Sequence, residues 1–467
     1  MALLALLVPA ALALAPAPKA PQKLATPPAP TPPPTLACRH FKECSGCVVE
    51  AAFEETDMVL RARAVLEPLL GAPLTVVCGT PAGWRTQARL AAGAGGERDA
   101  SRGRRGRKRN WRATGVELGL YRAGSHDVVG IPDCVAHASV LNDAAAAVAS
   151  ACADAGVQSA RGDDGELRYV QMSAERSSGL VALTLVWNRR GAKESAPQLP
   201  RLVAALEKSD VKWHSIWVNY RGSKGGNAIF DYEPRTWAKL RGRPHLTEGL
   251  FDGASPDARA RAAAAGADAD LALRFTPLVF RQANLAAFAA LVASLAAFVP
   301  EGADLCELYG GVGAIGLALR PKCARVRCSE ANPNAADGFA RALADQDRRL
   351  PRLKRAVPVR FRALDAADAI RADAAGADVL VVDPPRKGLC PEVLDALLDP
   401  APDGAAASVE RLLYVSCGFD ALQRELGLLL KSQLWTLAHA EAHVLFPGSD
   451  HVETLAVFDR APAPKRR

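Results

Sequence analysis

The chain has 467 residues, enough for two or three domains with substantial cores. Its 49% hydrophobic and 23% charged content is that of a folded globular protein and excludes an extended or low-complexity chain. The net charge of +8 would suit nucleic acid, but seven basic residues fall in "RGRRGRKRNWR" (102–112) and Lys19 and Lys23 in the leader, so a uniformly basic surface is excluded.

The first segment, residues 1–37, reads as a Pro-rich targeting leader. It opens with about fifteen apolar residues broken by Pro9, too short for a membrane span of roughly 20 but suited to a signal-peptide core. An acid-free Ala/Pro/Lys/Thr tract follows, as in an organellar transit region, and the pair of halves predicts delivery to an organelle, a plastid ahead of a mitochondrion. Plain secretion, or a Pro-rich tail with no address, is the alternative. No later segment reads as transmembrane, so the mature form is expected off the membrane.

Residues 38–80 hold "CRHFKECSGC", a C-x5-C-x2-C set of Cys38, Cys44 and Cys47, then the helical stretch "EETDMVLRARAVLEPLL". Cys134 in "GIPDCVAH" supplies a fourth thiol, with His40 as a weaker substitute. Four thiolates would bind zinc or an iron–sulfur cluster. Disulfides are the alternative, and the total of eleven cysteines would leave one over.

Residues 81–270 carry short alternating runs, "LRYVQMSA", "GLVALTLVWN" and "HSIWVNYRG", that predict an antiparallel β-rich α+β domain. The Gly/Arg stretch 93–110 reads as a disordered basic insertion between two of its strands, able to touch phosphates or simply to stay solvated.

From 271 to 467 strands alternate with helices, which predicts a doubly wound α/β sheet with its ligand crevice at the carboxyl ends of the strands. "ADLCELY" is a strand, "GGVGAIGLALR" a glycine turn entering a helix, and "ARVRCSE" a strand ending in Glu330. "DVLVVDPPRKG" is a central strand opening into a proline loop, followed by the strands "RLLYVSCGF" and "HVETLAVF". Gly311, Gly313 and Gly316 satisfy G-x-G-x-x-G, with Glu330 placed to bind ribose hydroxyls. That pattern serves a dinucleotide or S-adenosylmethionine. The proline loop and the lone Cys417 at a strand exit favour the methyl donor, because hydride transfer needs neither.

The motifs "LVFRQANLAAF", "ELYGGVGAIGLAL", "DPPRKGL", "LLYVSCGFDALQREL" and "FPGSDHVETLAVF" together resemble the RNA uracil-5 methyltransferases. "GLYRAGSHDVVGIPDCVAH" resembles the stretch carrying the fourth ligand in the branch with a [4Fe-4S] centre, and plastid-type relatives look similar around Cys417. The resemblance runs from about Cys38 to Phe458. It implies a class I, Rossmann-like methyltransferase domain, Cys417 as nucleophile and Glu453 as proton acceptor. It implies Gln282, Tyr309, Ala314, Glu330 and Asp383 as methyl-donor contacts, with Asp365 on the adenine side. Cys38, Cys44, Cys47 and Cys134 would be cluster ligands, with zinc as the alternative metal. The implied substrate is a uridine of transfer or ribosomal RNA, and the protein is expected to act as a monomer. Arg386 is a candidate for favouring the Cys417 thiolate.

Two departures stand out. Many family members have S-C-N-P where this chain has Ser416-Cys417-Gly418-Phe419, and some cluster-bearing members have a β-barrel ahead of the cysteines. RNA affinity is therefore expected from the middle domain, the cysteine segment or the basic insertion. Competing readings are a nicotinamide oxidoreductase with an accessory iron–sulfur centre, resting on the glycine fingerprint, and an RNA-binding relative that has lost catalysis. The other cysteines, Cys78, Cys152, Cys306, Cys323, Cys328 and Cys390, read as packing residues.

Overall fold

The computed structural model describes residues 35–95, 115–191, 194, 196–222 and 228–462. The leader up to residue 34 and most of the basic insertion lie outside the described residues. Seventeen strands are described: β1 (Thr75–Cys78), β2 (Gln87–Gly95), β3 (Gly115–Tyr121), β4 (Val128–Gly130), β5 (Leu167–Ala174), β6 (Val181–Trp187), β7 (Trp213–Tyr220), β8 (Trp237–Gly242), β9 (Leu246–Gly249), β10 (Ala272–Phe275), β11 (Ala303–Leu308), β12 (Cys323–Ser329), β13 (Val359–Arg362), β14 (Val379–Val382), β15 (Arg411–Ser416), β16 (Trp435–Val444) and β17 (Glu453–Arg460).

The C-terminal sheet has the order β1-β16-β17-β15-β14-β11-β12-β13. Its central strands β11 to β15 run parallel, which requires helical crossovers on both faces. One face buries the helices Leu285–Ala296, Ala314–Leu319 and Ala335–Arg349. The other buries Asp57–Leu70, Ala366–Asp373, Pro391–Leu398 and Phe419–Lys431. With both faces covered, β14 can be Val-Leu-Val-Val, every residue buried. This is the doubly wound sheet read from the sequence.

The cysteine segment is part of this layer. Its helix Asp57–Leu70 starts at Thr56, whose hydroxyl accepts from the Val59 amide, and ends at Gly71 in the left-handed region. The chain then adds β1 alongside β16. The buried cluster of the C-terminal sheet also reaches back to Leu246, Leu250 and Phe251, because β9 pairs with β10.

The middle sheet has the order β4-β3-β2-β5-β6-β7-β8. It differs from the expected antiparallel arrangement at one pair: β6 and β7 are parallel. The connection between them contains the helix Gln198–Glu207, which carries the chain back to the starting end, so the return strand must run the same way. β2 and β3 pair as far as Gly95 and Gly115, so the basic insertion joins two hairpin strands as expected.

A buried ion network joins the middle sheet to the crevice. The Arg281 guanidinium pairs with Glu248 and donates to the Ala174 carbonyl at 2.9 Å and the Thr86 carbonyl at 3.2 Å. Arg176 pairs with the other Glu248 oxygen at 2.7 Å. Glu248→Ala strands two cations in a sealed site and is expected to cost ~3–5 kcal/mol, read as a fall in the urea midpoint. A loss below about 1 kcal/mol would show that Glu248 is dispensable.

Candidate active site

The crevice is built from strand ends. β11 gives way to Tyr309, which adopts a φ of 60°, and then to the glycine turn. Gly313 has a φ of 82°, and a Cβ there would lie 2.4 Å from the Phe339 ring, so this corner requires glycine. The turn is held by acids. Glu330, following β12, accepts from the Gly311 amide at 3.0 Å, and Glu307 inside β11 accepts from the Gly316 amide at 3.0 Å. Ala314 is the first residue of the following helix.

β14 ends at Val382, and Asp383 opens the Pro384-Pro385-Arg386-Lys387-Gly388 loop. Two side chains fix this loop. The Tyr309 hydroxyl accepts from the Cys390 amide at 3.1 Å, and buried Glu425 accepts from the Leu389 amide at 3.2 Å and from the Tyr414 hydroxyl at 2.6 Å. Gln282 lies between two anchored neighbours, Arg281 and Asn284. Asn284 caps the helix Leu285–Ala296 through the Ala287 amide at 3.1 Å and donates to the Leu445 carbonyl at 2.7 Å.

β17 is antiparallel to β15, with Ser416 opposite Thr454. Continuing that register sets Cys417 beside Glu453, the pair expected from the sequence. The Cys417 Sγ lies 3.9 Å from the Pro384 carbonyl. Gly418 explains the departure from S-C-N-P: a Cβ there would sit 2.3 Å from the Arg386 carbonyl oxygen. Phe419 opens the next helix, is buried, and lies beneath Arg61, which pairs with Asp420. The Asp365 carboxylate accepts from the Asp368 amide at 2.9 Å, capping its own helix.

The electrostatics are crowded with one sign. Burial, then Glu330, pushes Glu307 up to about 7. Burial, then Glu307 and Glu330, pushes Asp383 up to about 7. Burial, with Asp383 next, holds Glu453 well above the usual carboxylate range while Arg386 opposes. Cys417 is pushed up to about 11 by burial, Glu453 and Asp383, again opposed by Arg386. Without a bound cation, Cys417 is therefore a thiol at neutral pH. Glu307 and Glu425 are the site residues that motif reading missed. Their signal was an acid inside the apolar strand "ADLCEL" and on the apolar face of "FDALQREL".

All eleven cysteines are free thiols, so no disulfide is formed. Cys38, Cys44, Cys47 and Cys134 line one cavity of about 280 Å³ together with Trp84, Arg85 and Phe446. Burial, then Cys134, Cys44 and Cys38, pushes Cys47 up to about 11. Among the described residues no three His, Cys, Asp or Glu side chains form a group that could hold a metal ion. His40 is paired with Asp133 at 2.6 Å.

No protein-family model matches the chain. An RNA methyltransferase of Protochlamydia amoebophila is 31% identical over 433 residues, 91% of this chain and 98% of that one. One of Thermosynechococcus vestitus is 27% identical over 361 residues, 73% of this chain and 68% of that one. The crystal structure of the Pyrococcus abyssi tRNA (uracil-54, C5)-methyltransferase, in complex with S-adenosyl-L-homocysteine, superposes with a TM-score of 0.63. That likeness covers 89% of this chain and 85% of that one at 20% identity, which is a likeness of fold.

The crowding predicts how Cys417 titrates. Alkylation of Cys417 in the ligand-free chain, followed by mass spectrometry, is expected to rise with pH up to about 11. Glu453→Gln removes a negative charge that raises the thiol, so the rise should begin at lower pH. An unchanged profile would show that the two side chains do not interact. Gly418→Ala forces the Arg386 backbone aside and is expected to destabilise the chain by ~1–3 kcal/mol in urea unfolding. A neutral effect would mean that the loop yields freely.

Proposed function

This chain belongs to the RNA uracil-5 methyltransferase family, and from that premise we propose that it forms 5-methyluridine in transfer or ribosomal RNA, with S-adenosylmethionine as methyl donor. The observation that carries the reading is the meeting of Cys417, just past the end of β15, with Glu453 at the start of β17, close to Asp383 and with Glu330 and buried Glu307 behind it. An acid-lined crevice attracts a donor bearing a sulfonium and an ammonium. It would repel the pyrophosphate of a nicotinamide dinucleotide, which counts against the oxidoreductase reading. The donor supplies an electrophilic methyl group, and its positive charge offsets the carboxylates that hold Cys417 protonated.

The steps then follow from the chain's own residues. The Cys417 thiolate adds to C6 of the target uracil, breaking the C5–C6 double bond and leaving an enolate that makes C5 nucleophilic. C5 takes the methyl group as its bond to the donor's sulfur breaks, the electron pair staying on a now neutral thioether. Glu453, whose charged form Arg386 favours, removes the remaining C5 proton, and the electron pair re-forms the double bond as the thiolate leaves. Arg386 lowers both groups and so favours the two charged forms the steps need. The uridine must leave its stack to reach this edge.

For the four thiols we propose a [4Fe-4S] cluster, with zinc as the alternative. They line one cavity, and four thiolates in one place are the ligand set of an iron–sulfur cluster or of zinc. Cys38, Cys44, Cys47 and Cys134 would hold it, and it would supply a rigid cross-link between the N-terminal segment and the Cys134 turn. In keeping with the sequence reading, we place the protein in an organelle, acting as a monomer.

The test uses tritiated donor and uridine-containing RNA. Cys417→Ala should abolish transfer, at least 10³-fold below the parent chain, in line with loss of a covalent nucleophile. Glu453→Gln should instead accumulate a methylated RNA–protein adduct that survives denaturing electrophoresis. Transfer that persists in Cys417→Ala would overturn the mechanism.

A further inference from the structure

We propose that Arg85 is the counter-charge of the cysteine cavity: its guanidinium makes a buried tetrathiolate group tolerable and fixes that group's charge state. The inference rests on the cluster reading above and concerns a residue that no motif singled out.

Four thiolates around a [4Fe-4S]²⁺ core, or around Zn²⁺, form a net dianion. Seating a dianion in a cavity walled by Trp84, Phe446, Leu120 and Ile131 is costly unless a cation accompanies it. The other basic groups at the cavity have other engagements. His40 and Arg39 pair with Asp133. The His137 ring is engaged by the Asn142 side chain at 3.0 Å. Arg89 donates its Nε to Gln171 and lies over the Phe230 ring at 5.4 Å. Arg85 differs. Among the described residues its side chain meets no carboxylate, and it lines the cavity beside Cys47 and Cys134.

The backbone and two rings hold it there. The Arg85 amide donates to the Ala136 carbonyl at 2.8 Å, and its carbonyl accepts from the Ala138 amide at 2.9 Å, which ties it to the turn carrying Cys134. The guanidinium stacks 4.6 Å from the Trp84 ring centre and 6.0 Å from that of Phe446. Aromatic faces suit a guanidinium while leaving its edge donors free, and those donors can meet thiolate sulfur. A lysine keeps the charge without the planar stack, so the two properties can be separated.

The experiment compares the full chain with Arg85→Met and Arg85→Lys, each produced with iron and handled anaerobically. Iron and sulfide per chain, visible absorbance and the midpoint potential are measured, and near-ultraviolet circular dichroism checks the fold. Arg85→Met is expected to lower iron per chain at least threefold, or to shift the midpoint of any retained cluster to more negative potential, because reduction adds negative charge. Arg85→Lys should recover most of the iron. A folded Arg85→Met chain with parental iron and potential overturns the proposal. If Arg85→Met does not fold, Arg85→Lys decides: iron at the parental level supports the counter-charge, and loss of iron overturns it. A parent chain holding zinc instead of iron removes the cluster reading but leaves Arg85 testable by zinc content. A parent chain holding neither metal overturns both.

Discussion

Because β17 runs antiparallel to β15, its first residue lies beside that strand's last, and a thiol and a carboxylate from distant parts of the chain meet at one edge. A parallel β17 would have placed Glu453 at the opposite end of the sheet. The reversal is affordable because β16 and β17 form an antiparallel pair whose other neighbour, β1, comes from the N-terminal segment. An edge strand is thus covered by the same segment that carries three of the four clustered cysteines.

That edge collects acids at a steep electrostatic cost. Asp383, Glu307, Glu330 and Glu453 all approach the crevice, and each raises the proton affinity of a neighbour. Left alone, such a site is poorly prepared for nucleophilic attack, since Cys417 holds its proton. In the proposed mechanism a cationic donor would change that balance, and its binding would then be coupled to activation of Cys417. Thiolate chemistry would then be confined to the loaded site.

Much of this was legible in the sequence. The alternation of strands and helices after residue 271, the glycine turn, and the order of "DPPRKG", "SCGF" and "HVET" were enough to place Cys417, Glu453, Asp383 and Glu330 at one crevice. Glu307 and Glu425 were not found because a single acid in an apolar run has no spacing to mark it. Its meaning depends on which amides the fold brings near. The parallel pairing of β6 and β7 was missed because alternation gives strands but not their direction, which the crossover helix Gln198–Glu207 decides. Gly418 was visible as a departure, but its cause, the Arg386 backbone, is a contact across 32 positions of chain and leaves no local trace.

The segment between β16 and β17 connects the crevice to the cysteine cavity. Residues 445–452 have no regular structure, so their position depends on anchors from elsewhere. The Val48 and Val49 amides, beside Cys47, donate to the Gly448 carbonyl at 2.8 and 3.0 Å. The Met58 amide donates to Asp450 at 2.9 Å, and Asn284 holds Leu445. Phe446 packs on Trp84 at 5.5 Å and lines the cysteine cavity. Glu453 is the residue that this clamped loop delivers to the crevice. A shift of the cysteine segment would therefore move Glu453. On the proposed mechanism, rigidity at the thiols would then be a condition for aligning Glu453 with Cys417.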